Sequence, residues 1–311
     1  MTARRYTIAC LAGDGVGPEL MAQASRALAA VSRQHGFGIT ELHLPFGSEA
    51  LMRFGHRLPD ETRHDLGRAD AALVASPAEP AFALVREELE PAVAVTRVEH
   101  RHSSTLVLGP AGGGEQAAIR HAFALAARRR ARLTSVADSE GWVGLVDDEA
   151  AADARGIVVR HRSFSETLSA FGGGEQLDLV VAGEPLHGAL ADALAALGET
   201  VDLVCRGWTG DSGPGVFVPA ETVDPTVAGY GVVDPAAMLL AVSLLLAVGL
   251  REHAAARTLE RAVAAASAAG FAAGSATASA LMTTTRAFTD AVIARLPESR
   301  TDLELLDEVS P

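Results

Sequence analysis

Short apolar runs alternate with stretches of helical periodicity along nearly the whole chain, and this alternation constrains the fold more than any other feature. Tyr6 to Ala12 reads as a strand. Pro18 then opens a helix whose Leu20, Ala24, Leu28 and Val31 share one face, until Gly36 closes it. Ile39 to Leu44 reads as a second strand and a short acidic helix follows Leu58-Pro59. Asp70 to Ser76 and Ala92 to Val98 read as further buried strands. Strands alternating with helices imply an α/β sheet.

The pattern continues with a strand at Thr105 to Leu108, a helix from about Glu115 to Arg130 and a strand at Arg132 to Val136. A second strand–helix–strand pass runs through Leu177 to Val181, whereas the acidic DDEAAADARG (147–156) reads as a solvated connection. Val201 to Cys205 is predicted as a strand and GWTGDSGPG (207–215) as a loop, with helices following near 235–249, 252–269 and 285–296. The run AAMLLAVSLLLAVGL (236–250) is shorter than the roughly 20 residues that span a bilayer, so it reads as a fully buried helix. The closing PESRTDLELLDEVSP reads as an acidic tail.

At 311 residues and 49% hydrophobic content, the chain can bury the core of one large domain or two intertwined ones. Its 39 acidic and 26 basic residues leave a formal charge of -13, which argues against nucleic acid or an anionic membrane as partner. Every basic residue is Arg, and a guanidinium that stays protonated binds anions but makes a poor general acid or base. Cys10 and Cys205 lack short metal-type spacing and fall in apolar strands, so they read as structural thiols of a reducing cytoplasm. MTARRYTIACLAGDG lacks the apolar core of a signal peptide.

Several stretches, in order, carry a family likeness. GDGVGPE (13–19), LPDET (58–62) and RADAALVAS (68–76) come first, then FALAARRRARLTSV (123–136). GVFVPAETVDPTVAGYGVVDPAAMLLAVSLLL (215–246) and TRAFTDAVIARL (285–296) complete the series. Together they resemble the isopropylmalate/isocitrate dehydrogenase family of metal-dependent β-decarboxylating dehydrogenases. The resemblance implies an isopropylmalate dehydrogenase-like two-domain α/β fold, with a mixed sheet and helices on both faces. Residues 1–98 plus 200–311 would form the first domain and residues 99–199 the central one. It further implies a homodimer whose cleft is completed by the neighbouring subunit, with NAD and Mg²⁺ or Mn²⁺ as cofactors.

Oxidising a 2-hydroxy acid and decarboxylating the product needs a base, a divalent metal and an acid. By the resemblance, a catalytic lysine should follow Thr134-Ser135-Val136, but no lysine occurs anywhere in the chain. Asp138 stands at or beside that position, and Glu140 stands where an asparagine is usual. Tyr6 and Tyr230 are the only tyrosines, so the region around Pro110 offers no catalytic phenol. In EPLHGALAD (184–192) the first metal aspartate falls on Ala189 and the second on Ala193 or, with a slip, Asp192. The neighbouring subunit's ligand falls near Ser165, with Glu166 alongside. In the cofactor loop a family His-Gly is Glu221-Thr222, the ribose-binding acid is Thr226 and an Asn is Asp234. The expectation is therefore no metal site and no cofactor.

Gly13, Asp14, Gly15 and Gly17 are the weak candidates for cofactor contact, since a tight turn needs such glycines whatever it binds. Arg86 and Arg97 sit where the family's arginines fork onto substrate carboxylates, unless Glu87, Glu88 and Glu99 pair with them instead. Asp138, Glu140 and His187, with Glu166 and Glu184, are the candidates for a rebuilt acid/base site; the alternative is drift after loss of function. His100 and His102 read as solvated loop residues. Three functions stay open. One is non-redox or metal-free chemistry on a small anionic substrate. Another is a non-catalytic subunit pairing with an active homologue, and the last a dehydrogenase with relocated groups.

Overall fold

Apolar alternation sets the first strand, and the computed structural model describes residues 4–100, 103–112, 114–137, 139–210, 213–220, 225–269, 271–273 and 281–297. Strand β1 (Arg5–Leu11) leads to helix α1 (Gly17–His35), β2 (Gly38–His43), α2 (Gly47–Phe54), α3 (Asp60–Arg68), β3 (Ala71–Val74) and α4 (Ala81–Leu89). The chain continues with β4 (Val93–His100), β5 (Ser103–Pro110), α5 (Glu115–Ala126), β6 (Arg132–Val136), α6 (Glu140–Ala152) and β7 (Val158–Arg162). Then come α7 (Phe164–Gly172), β8 (Leu179–Ala182), α8 (Leu186–Gly198), β9 (Cys205–Thr209) and β10 (Gly215–Pro219). The last elements are α9 (Ala236–Leu244), α10 (His253–Ala268), the short pair β11 (Phe271–Ala273) and β12 (Leu281–Thr283), and α11 (Thr285–Ile293).

The chain divides into two compact units, residues 1–89 with 213–311 and residues 90–212. The divisions fall outside 98 and 200 because β4 hydrogen-bonds to both β5 and β9, which draws all three strands into the second unit. In the first unit the strand order is β2-β1-β3-β10, all parallel. Helix α9 is buried on nearly every side against β10, α1 and α10, which explains why its sequence has no polar face. It continues as a π-helical turn over Leu245–Gly249, where Gly249 lies against the Phe217 ring.

In the second unit the order is β9-β4-β5-β8-β6-β7, with β4 antiparallel to its neighbours and β5, β8, β6 and β7 parallel. The connections β5-α5-β6 and β6-α6-β7 move outward along the sheet, whereas β7-α7-β8 moves back. Right-handed crossovers running in opposite directions put their helices on opposite faces. Accordingly α5 packs on α6, and α7 on α8.

Three sequence expectations change. Residues 147–152, read as a connection, are the second half of α6, whose inward line is only Trp142 and Val146. The strand expected at 201–205 begins at Cys205, because 201–203 form a 3₁₀ turn. β9 therefore occupies the start of the expected 207–215 loop and extends its pairing with β4 to Thr209. Cys10 and Cys205 are both buried and outside any disulfide, in strands as expected. No helix of the described residues is long and apolar enough to cross a membrane, and the acidic tail lies outside the described residues.

Candidate active site

The carboxyl ends of β5, β8 and β6 form one rim of the second unit. Their register aligns Leu108 with Val181 and Val136 with Ala182, so Gly109 stands level with Ala182, and Gly183 one residue further on, level with Ala137. α5 leaves β5 and α8 leaves neighbouring β8 on opposite faces, and such a reversal opens a crevice beside the strand ends in α/β sheets.

His187 occupies the first turn of α8 at this rim. Its ring packs so closely on β5 that a β-carbon at Gly109 would stand 2.2 Å from its Cγ. Nδ1 is shut away from solvent without a hydrogen bond of good geometry, and the residue as a whole is half-buried. Burial lowers the imidazole pKa below its ordinary value, and the Glu184 carboxylate and the Gly183 carbonyl oppose that shift. The net effect is a neutral ring near pH 7, the form that accepts a proton.

Glu115, the first residue of α5, brings Oε1 to 3.1 Å from the point where a Gly183 β-carbon would stand. The Trp142 ring closes the same spot at 3.2 Å, held by a hydrogen bond of 3.0 Å from its indole N–H to Ser135 Oγ. Helix α5 follows Gly114, which has no side chain to cap it, a start of the kind that suits an anion. Glu115, Gly109 and Gly183 were missed by sequence reasoning. The available signal was a glycine directly at the end of an apolar strand, which marks a close approach by another group.

Of the residues singled out from sequence, His187, Glu184 and Glu140 lie at this rim. Glu140 is exposed in the first turn of α6. Asp138 lies outside the described residues, as do His102, Glu221 and Thr222 and the side chain of His100. Glu166 is committed elsewhere: it forms a capping box with Ser163 at the start of α7, and the hydrogen bonds from Ser163 hold its carboxyl below the ordinary value. Asp192 pairs with Arg206 at 2.8 Å. Asp234 accepts a hydrogen bond of 2.8 Å from the Ala236 N–H and so caps α9, while Thr226 is exposed. No three carboxylates converge among the described residues.

Arg86 belongs to the first unit, where its guanidinium pairs with Glu79 at 2.9 Å and lies over the Phe82 ring. Arg97 belongs to the second, buried mid-strand opposite Leu106 and paired with Glu99 at 2.6 Å. Of the tyrosines, Tyr6 donates its hydroxyl to Glu252 at 2.7 Å, and Tyr230 is exposed.

The glycine loop after β1 is built by geometry. Gly13 and Gly15 have φ of 73° and 61°, a region that penalises other residues. Gly17 needs its hydrogen for another reason, because a β-carbon there would stand 1.9 Å from the Ala12 carbonyl oxygen. Asp14 directs its carboxylate at α2, accepting from the Ser48 N–H at 2.8 Å and from Ser48 Oγ at 2.8 Å.

The sequence model of the isocitrate/isopropylmalate dehydrogenase family matches residues 7–104 and 114–292. A 3-isopropylmalate dehydrogenase of Synechococcus sp. (strain CC9605) is 27% identical over 84% of this chain and 90% of its own length. The enzyme of the same name from Streptococcus mutans is 26% identical over 82% and 90%. Among solved structures, a β-decarboxylating dehydrogenase from Thermococcus kodakarensis in its apo form superposes with a TM-score of 0.79 at 18% identity, covering 98% of this chain and 99% of that one. Isocitrate dehydrogenase from Methylococcus capsulatus gives 0.75 at 19% identity, covering 94% and 99%.

Proposed function

Because the chain belongs to the isocitrate/isopropylmalate dehydrogenase family, we propose that it uses that scaffold for metal-free, non-redox proton transfer on a small carboxylate- or phosphate-bearing substrate, with His187 as the base. The observation that carries this reading is the half-buried His187 imidazole at a strand-end rim, packed on Gly109 with Nδ1 shut away from solvent, where burial favours the neutral ring. The second unit contains neither lysine nor tyrosine, so a proton leaving a substrate there must go to an imidazole, a carboxylate or a buried thiol. An imidazole titrates closer to neutral pH than a carboxylate and is the better-matched base there, and Cys205 is buried, which favours His187.

On this reading the first turn of α5 holds the substrate anion and Nε2 of His187 removes a proton from the carbon beside it. The imidazolium so formed returns a proton, exchanged with solvent, to the same carbon. Neither NAD nor Mg²⁺ or Mn²⁺ enters such a reaction, which agrees with Ala189 at the expected first ligand position and Asp192 engaged by Arg206.

Solvent-deuterium exchange tests the reading. A panel of 2-oxo and 2-hydroxy acids and their phosphorylated analogues is incubated with metal-free protein in D₂O and followed by proton NMR. The expected result is exchange beside the acid group for at least one compound, abolished in His187→Gln while that compound still raises the melting temperature. Reduction of NAD or NADP stimulated by Mn²⁺, with isopropylmalate, isocitrate, malate or tartrate, would overturn it. So would exchange that survives in His187→Gln.

A further inference from the structure

The first unit holds a cluster of different chemistry. Cys10 Sγ, a carboxylate oxygen of Glu41 and a ring nitrogen of His43 all lie within 4.8 Å of one another. The parallel register creates this grouping, since Cys10 on β1 stands opposite His43 on β2, and Ile8 opposite Glu41. Side chains two apart share a face, and registered partners in parallel strands share it too, so the three residues project to one side. Nothing in their sequence spacing shows this, because one comes from β1 and two from β2.

We propose that Cys10, Glu41 and His43 bind a borderline-soft divalent cation, zinc foremost, with water as the fourth ligand. Thiolate and imidazole together select zinc over magnesium or manganese, which prefer all-oxygen surroundings. His43 Nε2 and Glu41 Oε2 are already 3.1 Å apart, close to the roughly 3.5 Å between ligand atoms around tetrahedral zinc. Ser25 Oγ on α1 fixes the carboxylate by donating to it at 2.7 Å. The sulfur is immobile in a buried strand, and His43, 61% exposed in its side chain, supplies the remaining adjustment by rotation.

Without a cation this arrangement opposes itself. Burial, and after it the Glu41 carboxylate, push the Cys10 thiol up to about 12, so the sulfur stays protonated. A dication takes the place of that proton, which leaves to solvent, and turns the thiolate–carboxylate repulsion into shared attraction. Binding ties the outer strand β2 to β1, so the metal stabilises the first unit.

Cobalt is the probe, because a thiolate ligand gives a sulfur-to-cobalt charge-transfer band in the near ultraviolet. The untagged, reduced full chain is titrated with Co²⁺. The expected outcome is that band, displaced by Zn²⁺, absent in Cys10→Ser and retained in Cys205→Ser. His43→Ala, an exposed change that leaves folding intact, should weaken Co²⁺ binding at least about tenfold. No band in the wild type, a band that survives Cys10→Ser, or unchanged affinity in His43→Ala would each overturn the proposal. Should Cys10→Ser fail to fold, the affinity of His43→Ala decides it.

Discussion

The imidazole of His187 fills the space that a β-carbon on Gly109 would need, its Cγ lying 2.2 Å and its Cβ 2.5 Å from that point. Strand β5 and the first turn of α8 can therefore approach this closely only while residue 109 is glycine. Gly109→Ala must push α8 off the strand and should destabilise the protein by about 1–3 kcal/mol. Because the clash includes the His187 Cβ, its relief needs His187→Gly. In urea unfolding the double variant should then be more stable than the two single changes predict by at least about 1 kcal/mol. Simple additivity would mean that the two elements do not meet as described.

The same burial sets a pH dependence. An unfolded chain protonates histidine near pH 6.5, and the folded protein holds His187 below its ordinary value. Acid therefore favours the unfolded chain, so the stability tied to the neutral ring is fully present above about pH 6.5 and is lost as pH falls through the lowered folded value. Unfolding curves between neutral and mildly acid pH should show the wild type losing stability relative to His187→Gln. Glu184→Gln, which removes a charge that favours the imidazolium, should lower the His187 titration midpoint further by NMR. A midpoint above the unfolded value would contradict both the burial and the role of base.

Glycines at helical positions should respond with opposite signs. At Gly17 a β-carbon would stand 1.9 Å from the Ala12 carbonyl oxygen, a backbone atom with nowhere to go. Gly17→Ala should cost about 3 kcal/mol, the upper end for overpacking. Gly144, inside α6, faces open space. There, removing glycine's excess freedom in the unfolded chain should stabilise by up to about 1 kcal/mol. Thermal melts of the paired variants test the contrast directly.

What was legible in the sequence follows the range of the information. β1, α1 and α9 were readable because their apolar periods are local and strong, and Gly36 ends α1 in the left-handed conformation that glycine favours. The second half of α6 was not, because alanines and acids facing solvent leave no apolar stripe to count. α2 escaped for a related reason, since Leu51, Met52 and Phe54 are exposed and do not mark an inward face. β9 was displaced because pairing with β4, not local apolarity, decides where it begins. His187 was picked out along the chain, but its confinement under Gly109, and the meeting of Cys10 with Glu41 and His43, depend on register between strands and helices. Glu166 illustrates the converse: its carboxylate read as a site residue, yet the Ser three places earlier already announced a capping box.

Asp14 provides the last test, because its conspicuous place in the glycine loop invites a reading as a ligand contact. Helix α2 starts at Gly47 after Phe46, which has no side chain able to cap it. The carboxylate of Asp14 supplies the cap from another segment by accepting from both the N–H and the hydroxyl of Ser48, and its charge opposes the positive end of the helix dipole. Gly47, at φ 77°, lies so close that a β-carbon would stand 2.9 Å from Asp14 Oδ1, so the loop and the helix start fit as one piece. Asp14→Ala should cost about 1–2 kcal/mol and increase hydrogen exchange at the first-turn amides of α2. Asp14→Asn, which keeps an acceptor but loses the charge, should fall between the two. If Asp14→Ala leaves α2 as protected as before, the carboxylate is not its cap, and the loop is free to serve a ligand instead.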